Sequence, residues 1–203
     1  MKIICIGRNY AEHAKEMKAE LPGEPVFFMK PDTAILKEGQ DFYYPEFTKD
    51  LHYECELVYR IEKTGKHIAE KFAAKYYSQL SLGIDFTARD LQQKCKEKGL
   101  PWEIAKSFEH SAPISSKWIT VSEFEGKPLE FRLMKNGQTV QHGKTSDMIF
   151  SIDQIISYIS RFMTLKTGDL IYTGTPSGVG PVAIGDKLEG YIGDQKMFEF
   201  QVK

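Results

Sequence analysis

The chain has 203 residues, 41% hydrophobic and 27% charged, which suits one soluble domain with a substantial core. Its formal net charge is -1 and it carries no basic run, which excludes a general attraction to nucleic acid or anionic lipid. No apolar run approaches the roughly 20 residues of a membrane span, and Ile3 to Ile6 is too short for the apolar core of a secretory signal, so a cytoplasmic location is expected.

In chain order, Lys2 to Ile6 reads as a first strand. Asn9 stands where it can cap a helix from Tyr10 to about Lys18, with Glu12 in the capping-box position. Pro22, Gly23 and Pro25 end that helix, and a strand follows up to Lys30, stopped by Pro31. Leu51 to Ile61 is the clearest strand: Leu51, Tyr53, Cys55, Leu57, Tyr59 and Ile61 fall on one face, and His52, Glu54, Glu56, Val58 and Arg60 on the other. A second apolar run, Leu80 to Ile84, ends at Asp85. Thr87-Ala88-Arg89-Asp90 has a capping pattern for a helix through about Lys98, which Gly99 and Pro101 stop.

Leu129 to Met134 and Thr139 to His142 flank Asn136-Gly137, a pair that tolerates the positive φ of a tight hairpin turn. Ser151 to Arg161 reads as a helix with Ser151 and Gln154 as its capping pair and Ile152, Ile155, Ile156 and Ile159 as its buried stripe. Leu170 to Thr173 is a short strand before a Gly/Pro loop, and Lys187 to Val202 a hairpin around Gly193-Asp194. Without repeat or linker, residues 1–203 read as a single domain. Strands outnumber helices and do not alternate with them, which predicts a mainly β, α+β fold with a rolled or sandwiched sheet. The three cysteines, Cys5, Cys55 and Cys95, are odd in number and far apart, so packed thiols are expected.

Glu54 and Glu56 are two apart on a strand, so their side chains leave the same face with roots about 6.5–7 Å apart. Two adjacent carboxylates repel unless water, a cation or a proton relieves them. On an open face water suffices; on an enclosed face a hard divalent cation such as Mg²⁺ or Ca²⁺ is the natural partner. Asp85, at a strand end, offers a third carboxylate. His13 and Glu16 are three apart and share a helix face, either as a surface ion pair or as an imidazole oriented by a carboxylate for proton transfer. Lys106, between Trp102 and Phe108, is either a snorkelling surface lysine or a cation that steadies an oxyanion. Gln92 follows on the helix after Asp85, and the Thr173 to Gly180 turn could aim backbone N–H groups at an anion.

Several motifs then occur in one order. They are Gly7-Arg8-Asn9-Tyr10 with His13, Phe28-Met29-Lys30-Pro31, His52-Tyr53-Glu54-Cys55-Glu56-Leu57 and Asp85-Phe86-Thr87-Ala88-Arg89-Asp90. Gly99-Leu100-Pro101-Trp102, Ala105-Lys106-Ser107-Phe108 and Thr173-Gly174-Thr175-Pro176 continue the series. Together they resemble the fumarylacetoacetate hydrolase family nearly end to end, and look most like its short acylpyruvase branch. The resemblance implies a mixed β-roll fold of the family's C-terminal type, a homodimer, and Mg²⁺ or Mn²⁺ (with Ca²⁺ as a crystal substitute) held by Glu54, Glu56 and Asp85. It makes His13 and Glu16 the catalytic pair on a mobile N-terminal helix. Lys106 and Gln92 become polar groups of the pocket, and Arg8 and Thr175 the holders of a substrate carboxylate.

The activity expected from this is hydrolysis of an acylpyruvate, such as fumarylpyruvate or acetylpyruvate, to pyruvate and a carboxylate. That reaction needs a Lewis acid for the 2-keto acid, an activated water and stabilisation of the departing enolate. Oxaloacetate decarboxylation and isomerisation of a keto-enol diacid are the alternatives on the same site. An inactive metal-stabilised binding domain is the non-enzymatic one.

Overall fold

The computed structural model describes residues 1–17, 20–37, 39–124 and 127–203. A six-stranded sheet organises it, in the order Val26–Lys30, Ile3–Gly7, Leu170–Tyr172, Cys55–Arg60, Gln79–Ile84, Ile119–Thr120. The first strand lies parallel to Leu170–Tyr172, while its neighbour on the other side, Val26–Lys30, is antiparallel. A four-stranded antiparallel sheet is built from the two predicted hairpins, Glu130–Lys135 with Gln138–Lys144 and Lys187–Ile192 with Gln195–Gln201. Asn136 and Gly137 have φ of 52° and 80°, the left-handed pair a tight hairpin turn needs. A three-stranded sheet joins Gly180–Pro181, Leu51–Tyr53 and Thr87–Ala88. The architecture is the expected mainly β, α+β one.

Both faces of the six-stranded sheet are covered. Ile4, Ile6 and Ile171 pack against Ile155, Ile156 and Ile159 of the helix Ile152–Phe162. Burying each such side chain contributes on the order of 2 kcal/mol. That helix starts as its sequence dictates: Ser151 accepts from the Gln154 N–H while the Gln154 side chain accepts from the Ser151 N–H. On the other face Ile3, Cys5, Val58 and Tyr172 form a second cluster. Leu57, Tyr59 and Leu82 meet Phe131, Leu133 and Leu188 of the four-stranded sheet in the largest one. The three cysteines are buried free thiols, as expected. Among the described residues no helix is long and apolar enough to cross a membrane.

Three local readings are corrected. The predicted Leu51 to Ile61 strand is two strands, Leu51–Tyr53 and Cys55–Arg60, in different sheets, and the chain changes sheet at Glu54. Asn9 does not cap the first helix, Ala11–Glu16, whose cap residue is Tyr10. Its carboxamide instead donates to Phe150 O and Thr173 O and accepts from the Phe150 N–H, strapping the N-terminal segment to two distant loops. The predicted end of that helix, Lys18, lies outside the described residues. The helix Arg89–Lys98 ends as read, with Gly99 at φ 63°, but Ala88 caps it with no side-chain bond.

Candidate active site

The sheet change at Glu54 shapes the site. Pairing of Cys55 with Ile84 and of Glu56 with Gly83 brings the end of Gln79–Ile84 alongside, and the Asp85 N–H donates to Glu54 O at 2.8 Å. One carboxylate oxygen from each of Glu54, Glu56 and Asp85 then lies within 4.8 Å of the other two. The three are only 6%, 1% and 1% exposed, so the face is enclosed and bulk water cannot separate the charges.

Cations compensate part of this charge. Lys106 Nζ, itself buried, donates to Glu54 Oε2 at 2.9 Å and to Asp85 Oδ2 at 2.7 Å. Arg89 Nη2 donates to Glu54 Oε1. Lys30 Nζ, fully buried, lies 2.8 Å from Asp85 Oδ1 but spends its hydrogen bonds on Ser111 Oγ, Ser111 O and Lys106 O. Asp85 Oδ1 is therefore buried with a positive charge beside it and no hydrogen-bond donor among the described residues. Burial pushes the Glu56 carboxyl well up, and Asp85 and Glu54 push it further; the Gly174 N–H, at 2.8 Å, opposes them weakly. Burial also pushes Glu54 up, but Lys106, then Arg89, outweigh it and hold Glu54 below the usual carboxylate range. An all-oxygen, buried, converging donor set suits a hard divalent cation such as Mg²⁺ or Mn²⁺.

Every residue expected in the site except Glu16 lines one cavity of about 460 Å³: Arg8, His13, Glu54, Glu56, Asp85, Gln92, Lys106 and Thr175. Glu16 stands behind His13, with Oε2 3.2 Å from His13 Nδ1. It also accepts from the Gly178 N–H at 3.1 and 3.2 Å, so the short helix is fastened to the loop after Leu170–Tyr172. Only glycine fits at 178: φ is +93°, and a Cβ would come 2.3 Å from Val140 O. Arg8 too is left-handed, at φ 60°, a conformation non-glycine residues rarely adopt outside sites that need it.

Thr175 is placed differently from expectation. Its hydroxyl donates to Cys55 O at 2.9 Å and accepts from Gln141 Nε2 at 2.8 Å, while Gln141 Oε1 accepts from the Cys55 N–H. The hydroxyl thus braces the loop against the carboxylate strand rather than reaching for an anion. Thr175→Val should leave the buried Cys55 carbonyl without its hydroxyl donor and Gln141 Nε2 with only its bond to Pro176 O, and cost about 1–3 kcal/mol, seen as a melting point lower by roughly 2–10 °C. An unchanged melting point would show that the bond is not a strut.

The sequence reading missed Arg89 and Lys30 as counter-charges and Gln141 as a brace. Arg89 stands in a capping pattern and in one of the family motifs, neither of which marks it as a counter-charge. Lys30 carries two signals, a lone lysine closing an apolar strand and its place in the motif Phe28-Met29-Lys30-Pro31, but neither says what it pairs with. Gln141 carried none, because both its partners are distant in sequence.

The family model for the fumarylacetoacetate hydrolase C-terminal region matches residues 2–203. The chain is 46% identical over 201 residues to the mitochondrial oxaloacetate tautomerase FAHD1 of Mus musculus, covering 99% of this chain and 91% of the mouse protein. Against the protein of the same name from Arabidopsis thaliana the identity is 43% over 202 residues, covering 100% and 91%. Among solved structures, a fumarylpyruvate hydrolase from Pseudomonas aeruginosa in complex with Mn²⁺ and pyruvate superposes with a TM-score of 0.92 at 38% identity, covering 100% of this chain and 89% of that one.

Proposed function

The chain belongs to the fumarylacetoacetate hydrolase family, and from that premise we propose that it is a divalent-metal enzyme interconverting the keto and enol forms of a small 2-keto dicarboxylic acid, with oxaloacetate as model substrate. The observation that carries this reading is the meeting, in one cavity, of three buried carboxylates and a histidine tethered to a glutamate. The likeness to oxaloacetate tautomerases favours proton transfer as the reaction.

Glu54, Glu56 and Asp85 would hold the ion, which when bound supplies a Lewis acid for the keto oxygen and the charge of the enolate. His13 moves the proton at the carbon beside the keto group. Glu16, held at His13 Nδ1, fixes the ring and leaves Nε2 for that transfer. Lys106 keeps a fixed positive charge beside the oxygen that gains negative charge. No water need be activated.

Acylpyruvate hydrolysis is the second reading, favoured by the close likeness to a fumarylpyruvate hydrolase; there His13 and Glu16 would activate a water. Oxaloacetate decarboxylation would use the same keto-acid site. Three assays on one metal-loaded preparation separate them: decay of the enol absorbance of oxaloacetate, pyruvate release from acetylpyruvate, and pyruvate release from oxaloacetate. The first is expected to be fastest by orders of magnitude. Metal-dependent melting with no turnover in any assay would instead support an inactive binding domain. A chelator is expected to abolish turnover and lower the melting point, and Mg²⁺ or Mn²⁺ to restore both; full activity in metal-free buffer would remove the ion from the reading. A homodimer is the assembly that family membership suggests, and sedimentation equilibrium tests it.

A further inference from the structure

The helix Arg89–Lys98 presents an unusual stripe. Arg89, Gln92, Gln93 and Lys96 stand at i, i+3, i+4 and i+7, the positions at which a packed helix normally places apolar residues. All four line the active-site cavity, and all four also line the open recess that continues from it past Asp50 and His52. The stripe therefore faces a solvent-filled cleft, and its residue types are those that bind polar ligands.

Three of its members have work assigned within the protein. Arg89 bonds Glu54 and Gln92, and Gln93 donates to Glu97 Oε1 at 2.8 Å. Lys96 has none of this kind. Among the described residues its ammonium forms no ion pair, and its one recorded contact is with the Trp102 ring, 5.7 Å from the centroid. Arg8, on the same cavity, is likewise without an ion-pair partner among the described residues. Glu20 lines the cavity as well but pairs with neither. Partial burial, then Arg89 and then Arg8, lower the proton affinity of Lys96, against a smaller opposing effect of Glu54. Cations on a cleft wall without an ion-pair partner among the described residues, as Lys96 and Arg8 are, are stabilised when an anion enters.

The position fits a second anionic group of a bound keto acid. Seven residues of helix carry the Lys96 backbone about 10 Å past Arg89, away from the carboxylate cage. Its ammonium lies over the Trp102 ring on the cavity wall. A keto-acid head on the cage would leave the far end of a short dicarboxylate between these cations.

We propose that Lys96, with Arg8, forms the subsite for the distal carboxylate of the substrate and makes the site selective for dicarboxylic over monocarboxylic 2-keto acids; this rests on the keto-acid reading of the cavity given above. Malate and lactate test it, because they share a 2-hydroxy acid head and differ in the distal carboxylate. Oxalate reports the head position alone. Each is titrated calorimetrically into full-length Mn²⁺-loaded protein and into its Lys96→Met and Lys96→Arg variants. Methionine keeps the unbranched stem and helix propensity without the charge. In Lys96→Met, malate affinity should fall about tenfold, with lactate and oxalate within twofold of the parent protein. Lys96→Arg should retain most of the preference for malate. If oxalate binds and the malate-to-lactate ratio is the same in Lys96→Met as in the parent, the subsite assignment falls while the keto-acid reading stands. A loss shared equally by all three ligands would make Lys96 a general structural residue and also overturn the subsite. If the Mn²⁺-loaded parent binds neither oxalate nor malate, the keto-acid reading itself fails and takes the subsite with it.

Discussion

Replacing Glu56 by glutamine is expected to lower Mn²⁺ affinity by about 100-fold or more while leaving the metal-free protein as stable as before, or more stable. Residues that merely support a ligand are worth about 10–100-fold in metal affinity, and a direct ligand should be worth no less. The stability expectation comes from the same geometry. Glu56 is buried between Asp85 and Glu54, whose charges oppose its ionisation. A neutral amide removes that repulsion and keeps an oxygen to accept from the Gly174 N–H. Binding and stability should thus part company, as they do where a site is assembled at the expense of the fold. Isothermal titration with Mn²⁺ and thermal melts with and without the ion provide both readouts. Parent-like affinity in Glu56→Gln would end the assignment of the three carboxylates to a metal.

The second large effect is expected at His13. His13→Ala should lower the rate of enol-to-keto conversion by about 10²–10⁴-fold, the range of a general acid–base group. Mn²⁺ affinity should be preserved, since the cage is built from other elements. Glu16→Gln should act in the same direction but more mildly. The amide oxygen can still accept from the Gly178 N–H, so the helix stays fastened while the imidazole loses its charged partner. Measuring both variants on oxaloacetate enol and on acetylpyruvate separates the roles. Loss confined to acetylpyruvate would move the pair to water activation and favour the hydrolytic reading. Unchanged rates on both substrates would return His13 and Glu16 to an ordinary helix pair.

What the sequence disclosed follows the range of the interactions involved. The Ser151–Gln154 box and the Asn136-Gly137 turn are specified by residues three positions apart or fewer, and both are found as read. The period-2 pattern from Leu51 to Ile61 located Glu54 and Glu56 correctly, and it continues unbroken through the point where the chain leaves one sheet for another. Alternation records which face a side chain takes but not which strand it pairs with, so the break was invisible. Asn9 beside a helix start satisfied the local rule for a cap, yet its carboxamide is spent on Phe150 and Thr173. Lys30 and Arg89 became legible as counter-charges only once the fold had brought them to Asp85 and Glu54.

The parallel pairing of Ile3–Gly7 with Leu170–Tyr172 also has a consequence for how the protein is made. The strand Ile3–Gly7 is made long before its inner neighbour Leu170–Tyr172, and the Asn9 strap waits for Thr173, 164 positions later. Until then one edge of a strand rich in isoleucine stays open to pairing with any other chain. The growing polypeptide therefore carries this apolar edge until Leu170–Tyr172 has been made. Chaperone capture of this strand is the expected safeguard, and slow translation lengthens the exposure.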